Sequence, residues 1–264
     1  MSAGWKLKEI HSIRELLRKP NKFKEELHKP YSFGPLWVYV YKENFKLIKR
    51  MCGGLRDKRV VDVGCGGGWL SEWLSREGTL VYGLDISPDF CKLAKVRSKL
   101  HGFNCEIICG DGEKLPFKDS AFDMVIIYAT MHHFPSFENG LNEALRLASK
   151  VVLADEPCRI PGFDFLIVKI LRDRIFKRRE YSGIDGHRFD LKMLKKMLLS
   201  SGNAITFRRI WSYVPPGLEK RGAFTCMAYK IAHKVLMNLF KPLGHAFIMV
   251  IERSHAHACI REGL

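Results

Sequence analysis

The sequence predicts an α/β fold in which a mostly parallel sheet is covered by helices on both faces. Three observations predict it. Between residues 59 and 157, short β-branched runs alternate with segments of helical apolar spacing. The run "FDMVIIYAT" (122–130) is almost continuously apolar, as a strand buried on both faces should be. The stretch "RVVDVGCGGGWLSEWL" (59–74) joins a strand to a helix through four glycines in five positions, a turn that brings backbone close to a ligand.

Each element follows from local signals. "RVVDVG" (59–64) is the first strand, and "GWLSEWLSREG" (68–78) a helix with Trp69, Leu70, Trp73 and Leu74 at helical spacing and Gly78 as its stop. "TLVYGLD" (79–85) is the second strand. Ser87 then caps a helix with Pro88 at its first position, running to about Leu100. "CEIICGD" (105–111) and 122–130 are the third and fourth strands. "ENGLNEALRLAS" (138–149) is a helix and "KVVLADEP" (150–157) the fifth strand. A helix at 191–202, a strand at 204–213, a helix at 226–240 and a last strand, "HAFIMVIER" (245–253), complete the pattern. The ends differ from the middle. Residues 1–58 read as a helical cap or lid, broken at Pro20, Pro30 and Pro35; residues 59–264 form the main domain, with inserted segments at 158–190 and 214–244.

Composition bounds the function. The formal charge is +16, distributed as +9 over residues 1–59, −4 over 60–155 and +11 over 156–264. Basic flanks attract anionic partners, whether nucleic acid, an anionic substrate or a membrane surface. The eight cysteines include no CxxC pair, so reduced thiols are expected, with Cys105 and Cys109 as core residues of one strand. No apolar run is long enough to span a membrane, and the charged N-terminus is unlike a signal peptide, so a cytoplasmic protein is expected.

The glycine turn is not the dinucleotide fingerprint GxGxxG. From Gly64 the third glycine would fall at Trp69, and from Gly66 at Ser71; no GK[ST] follows for a phosphate loop. What remains is a row of acids at strand ends. Asp62 precedes the glycines and is expected to face the ligand crevice, where it suits a ligand with positive charge or several donors. Asp85 closes the second strand, where a carboxylate accepts from ribose hydroxyls, and Asp111 closes the third, where it accepts from the exocyclic amine of adenine. Together they describe a nucleoside site with a cationic or amine-bearing tail. Gly67 and Gly68 serve helix–strand packing on the simplest reading, and Asp123 orients a strand entry.

"VVDVGCGGG", "GLDIS", "CGDGEKLPFKDSAFDMVIIYATMHHF" and "VVLADEP", in this order over residues 60–157, resemble the class I S-adenosylmethionine-dependent methyltransferases, in particular their type 11, ubiquinone/menaquinone methyltransferase-like branch. The resemblance implies a Rossmann-like sheet of seven strands, the last antiparallel, and S-adenosyl-L-methionine as cofactor. It implies that Gly64, Cys65 and Gly66 bring backbone against the methionine moiety, that Asp85 holds the ribose and that Ile86 packs on adenine. It implies further that Asp111, with Gly112 and Glu113, reads the adenine edge, and that Tyr128 and Ala129 lie beside the sulfonium.

A sulfonium methyl is already electrophilic, so the chain must align the acceptor, exclude water and, for some acceptors, take a proton; no metal is required. His132 and His133, past the fourth strand, are the candidate bases, and a cofactor-shaping role is the alternative for both. Glu156 and His187 are weaker candidates, Tyr31 and Tyr41 are candidate lid residues, and "SHAHAC" (254–259) reads as a tail. The expected activity is metal-free, in-line methyl transfer to a small-molecule or lipid-like acceptor. The competing readings are an RNA methyltransferase using the basic flanks and a non-catalytic cofactor-binding protein. The segment "FDFLIVKILRDRIFKRR" (163–179) reads first as an ordinary cap helix, with peripheral membrane contact through its apolar side as the alternative.

Overall fold

A computed structural model describes residues 2–158, 188–212, 214–215, 218, 222–239 and 245–253. Segment 163–179, His187 and "SHAHAC" lie outside the described residues.

Seven strands form one sheet: β1 (Arg59–Val63), β2 (Leu80–Asp85), β3 (Glu106–Cys109), β4 (Phe122–Tyr128), β5 (Ala148–Pro157), β6 (Ala204–Ile210) and β7 (Ala246–Glu252). Their order is β3-β2-β1-β4-β5-β7-β6. The pairs among β1 to β5 are parallel, while β7 runs antiparallel to both β5 and β6. Alternation along the central strands sends side chains to two cores. Val61, Val63, Val125, Ile127, Val151 and Leu153 pack on one face. Val60, Met124, Ile126, Val152 and Val250 pack on the other. Helices cover both faces, which is why the central strands read as unbroken apolar runs.

The helices begin where the sequence supplies caps. α1 (Ser2–Leu17), α2 (Pro20–Leu27) and α3 (Pro35–Cys52) make up the N-terminal region, and Pro20 and Pro35 stand at helix starts rather than inside helices. Tyr31–Phe33 forms a short 3₁₀ turn between α2 and α3. α4 (Trp69–Arg76) follows the glycines. α5 (Pro88–His101) begins with the Ser87 hydroxyl accepting from the Phe90 amide at 3.3 Å and ends at left-handed Gly102. α6 (Phe137–Leu147) is capped by Ser136, α7 (Leu191–Ser200) by Asp190, and α8 (Ala223–Leu239) precedes β7.

Several boundaries differ from expectation, among them that β6 ends at Ile210 rather than 213 and α8 starts at Ala223 rather than 226. β3 is shorter than expected, spanning Glu106–Cys109, with the Gly110 amide making a last bond to the Asp85 carbonyl at 3.0 Å. β4 stops at Tyr128 because Ala129 adopts φ +48°. β5 starts two residues early, since Ala148 already pairs with Phe122. β3 is an edge strand, so Cys105 is half-buried and Cys109 exposed; neither is the core residue expected, although all seven described cysteines are free.

Candidate active site

The carboxyl ends of β1, β2 and β4 open onto a cavity of about 800 Å³. Its floor is the glycine turn. Gly64, Gly66 and Gly68 all have positive φ, and each has its own reason to be glycine. At Gly64 a Cβ would lie 2.1 Å from the Thr130 side chain, so that position is closed by packing. At Gly68 a Cβ would stand 3.2 Å from Ala94, and at Gly67 3.2 Å from Leu93 and from the Glu26 carbonyl, so both glycines pack the turn on helices α5 and α2 rather than a helix on a strand. At Gly66 nothing lies within 4 Å of such a Cβ, so its backbone faces open cavity.

Asp85 fixes the turn. Its Oδ2 accepts from the Gly66 amide at 2.9 Å and its Oδ1 from the Ser87 amide at 2.8 Å. Burial pushes its carboxyl up to about 6, against the pull of these two amides. Asp111 and Glu113 form the next wall. Asp111 Oδ1 accepts from the Glu113 amide at 2.9 Å, and Glu113 Oε1 accepts from the Ser136 amide at 2.7 Å. Ile86 and Gly112 line the same end.

β5 carries a bulge between Ala154 and Glu156, with Asp155 at φ +54°. Consecutive strand residues normally point to opposite faces. Here the bulge directs both Asp155 and Glu156 toward the site. Asp155 lines the cavity and hydrogen-bonds the Tyr128 hydroxyl, which also accepts from Asn44 Nδ2 at 3.1 Å. Glu156 is fully buried beneath it. Its carboxylate accepts from the amides of Thr130, Met131 and His132 and from His132 Nδ1 at 2.7 Å. Burial opposes its ionisation, but His132 and the amides outweigh burial and hold it below the ordinary glutamate value. The far wall is aromatic: Trp69 meets Tyr41 edge-on at 4.6 Å and Tyr128 at 4.9 Å between ring centres.

Residues 61–151 match the family model described as a methyltransferase domain. Residues 61–151 thus carry a methyltransferase domain, over about a third of the chain. Two curated relatives share the segment. Phthiotriol/phenolphthiotriol dimycocerosates methyltransferase of Mycobacterium leprae is 37% identical over 95 residues, 35% of this chain and 34% of the relative. Ubiquinone biosynthesis O-methyltransferase of Coxiella burnetii is 37% identical over 81 residues, 31% of this chain and 35% of the relative. The chain thus matches about a third of the length of these relatives. Two solved structures share the fold. YcgJ of Bacillus subtilis aligns with TM-score 0.55 at 18% identity, covering 81% of this chain and 99% of its own. Magnesium protoporphyrin IX methyltransferase of Synechocystis, with bound SAM, aligns with TM-score 0.52 at 20% identity, covering 83% and 79%.

Within this methyltransferase domain, the structure brings together Gly64, Cys65, Gly66, Asp85, Ile86, Asp111, Gly112, Glu113, Tyr128, Ala129, His132 and His133 around the cavity. Asp62 is the exception. It does not line the cavity; it is buried behind the glycine turn, and its Oδ2 accepts from the Ser71 hydroxyl of α4 at 2.7 Å. Alternation explains this: Val61 and Val63 take one face of β1, which leaves Asp62 on the α4 face. Burial pushes its carboxyl up to about 7. Asp123 accepts from the Arg59 amide at 2.7 Å, at the opposite end of the strands from the cavity.

The sequence reading of 1–58 as a cap named Tyr31 and Tyr41 for it, but none of the residues of α1. Trp5, Lys6, Glu9 and Ile13 of α1 line the cavity of the methyltransferase domain, as do Lys29, Phe33, Trp37 and Tyr41, whereas Tyr31 does not. Lys6 Nζ pairs with both Asp111 and Glu113, and Trp5 Nε1 donates to the His133 carbonyl at 2.8 Å. Burial pulls the Lys6 ammonium down, but the two carboxylates more than compensate and raise it.

Proposed function

We propose that the chain transfers a methyl group from S-adenosyl-L-methionine to a hydroxyl or amine of a small, apolar or lipid-like acceptor by in-line displacement, with His132 taking the acceptor's proton. The cofactor supplies an electrophilic methyl on a sulfonium; the protein's part is binding, alignment and proton handling. The residues fit it. Gly66 offers bare backbone to open space, Asp85 offers acceptor oxygens to ribose hydroxyls, and Asp111, Gly112 and Glu113 offer polar edges to a nucleobase, with Ile86 as its packing surface. Tyr128 and Ala129 would stand at the reactive end.

The observation that carries the proton role is the Glu156–His132 pair. An ionised glutamate bound to Nδ1 at 2.7 Å fixes the tautomer with the proton on Nδ1 and leaves Nε2 as the basic nitrogen. Glu156 is then a positioning residue, and the sequence reading of it as a base is replaced by this role. His133 is a wall residue whose carbonyl is held by Trp5. An electrophile that is already cationic needs no Lewis acid, so the proposed step is metal-free.

The acceptor class rests on the aromatic wall and on two relatives, one named for ubiquinone biosynthesis and one for phthiotriol and phenolphthiotriol dimycocerosates. That wall suits an apolar acceptor better than RNA. The test is transfer of labelled methyl from S-adenosylmethionine to separated lipid, RNA and polar-metabolite fractions of a cell extract. Label in the lipid or apolar-metabolite fraction, lost in His132→Asn, is expected. Label in RNA alone, or binding of cofactor without label anywhere, would overturn this reading.

A further inference from the structure

α8 carries an apolar row that the described residues leave exposed. Phe224, Met227, Ile231, Val235 and Leu239 are 78%, 54%, 57%, 40% and 73% exposed. Their spacing of three and four residues puts all five on one side of the helix, along its whole length. The opposite side is buried: His233 and Met237 face inward, and His233 Nε2 meets the Trp211 carbonyl at 2.8 Å. An exposed row of this length is far more than the isolated apolar residues of an ordinary surface.

The charge beside the row is of one sign. Lys230 and Lys234 are exposed on its flank, and α8 contains no Asp or Glu. From Leu218 to Lys241 the sequence holds five Lys/Arg against the single Glu219. α3 packs alongside: the Tyr39 hydroxyl donates to the Lys230 carbonyl at 3.4 Å. The row of α3 that follows Tyr39 presents Lys42, Lys46 and Arg50, all exposed. Glu43 beside them is paired with Lys46 at 2.8 Å. No helix among the described residues is long and apolar enough to cross a membrane, so such a helix lies along an interface rather than through it.

We propose that α8 docks the protein on an anionic lipid bilayer, with the Phe224–Leu239 row in the acyl boundary and Lys230 and Lys234 at the headgroups. Charge complementarity selects this occupant: an apolar row bordered by lysines matches an anionic headgroup layer above acyl chains. A second copy packing on the same row would bring the two sets of lysines together. The placement also suits an acceptor that partitions into lipid. Leu36 and Val40 of α3 pack with Val214 and, on α8, with Cys226 and Tyr229, while Trp37 and Tyr41 of the same helix line the cavity. One helix thus separates the docking row from the aromatic wall. Docking itself requires neither cofactor nor turnover, so it stands or falls apart from the proposed reaction.

The experiment is vesicle flotation of the full chain with phosphatidylcholine alone and with about 30% phosphatidylglycerol. The wild type is expected to float with the anionic vesicles and not the neutral ones. Ile231→Glu and Leu239→Glu together are expected to lower the bound fraction at least about tenfold, with thermal stability unchanged because both positions are exposed. Phe224→Trp, a mild change at the most exposed of the five, is expected to add an emission component that shifts to the blue and is quenched by brominated lipid on vesicle addition. Absence of flotation, equal flotation of the double Glu variant, or added emission in Phe224→Trp that brominated lipid leaves unquenched would each overturn the proposal. So would a dimer in sedimentation that dissociates in the double Glu variant without vesicle binding, which would assign the row to a second copy.

Discussion

Lys6 Nζ reaches Asp111 Oδ2 at 2.6 Å, tying the first helix of the chain to the loop after β3 across 105 positions of sequence. The same ammonium also pairs with Glu113. Two walls of one cavity are therefore joined by a single side chain, and α1 acts as a strap over the end of the cavity proposed to take the nucleobase.

Lys6→Met is expected to loosen that strap. Lys6 is partly exposed and so is Asp111, so solvent screening limits the pair to about 1 kcal/mol. The expected result is cofactor dissociation faster by about fivefold, with a smaller change in association. Stopped-flow tryptophan fluorescence measures both rates, and an unchanged dissociation rate would show that α1 does not close over the ligand.

Asp85 predicts a pH dependence. Its carboxyl is raised to about 6 by burial, so in the free protein its contribution to stability is present at low pH and is lost as pH rises through about 6. With both oxygens already accepting from amides, the ionised form is the stronger acceptor for ribose hydroxyls. Cofactor affinity should therefore run the opposite way, falling as pH drops below about 6, by up to about tenfold per unit. Asp85→Asn should flatten the curve, and calorimetric affinities between pH 5 and 8 would show it.

The two glycines at the start of the turn should fail differently. Gly64→Ala places a Cβ 2.1 Å from Thr130 at φ +74°, so it should destabilise the fold by several kcal/mol, on the order of a core overpacking change with left-handed strain added. Gly66→Ala has open space and should cost only about 1–2 kcal/mol of backbone strain. It should nevertheless weaken cofactor binding at least about tenfold, because its methyl enters the cavity. Thermal melts and titrations of the pair separate the effects; intact binding by Gly66→Ala would remove the turn from the site.

Glu156→Gln tests positioning against structure alone. Gln keeps one acceptor oxygen but loses the charge that holds the His132 tautomer, so turnover should fall about 10²–10⁴-fold while cofactor affinity stays within a few-fold. The acid-side limb of the pH–rate profile, where a base becomes protonated, should shift with it. A loss of stability with an unchanged profile would make the pair purely structural.

Much of the fold was legible because its signals are local. Ser87-Pro88 starts a helix within a turn of its own position, and the apolar run of β4 declares a doubly covered strand. The row of acids was legible for the same reason, except at Asp62. There the strand-end position suggested the cavity mouth, but side-chain alternation on β1 turns it to Ser71. The contributions of Lys6, Trp5 and Lys29 depend on contacts between segments far apart in sequence, which periodicity does not encode. The bulge at Asp155 is likewise written in no local motif: it aims two neighbouring acids at one site, and a regular strand would have separated them.

Isothermal titration of the full chain with S-adenosylmethionine, its demethylated product, NAD and ATP, repeated with Asp85→Ala, decides whether the cavity is an adenosyl-sulfonium site. Saturable binding of the two sulfur nucleosides alone is expected, abolished in a variant that still melts cooperatively. Binding of NAD or ATP in their place, or affinity for the sulfur nucleosides that survives the loss of Asp85, would contradict it.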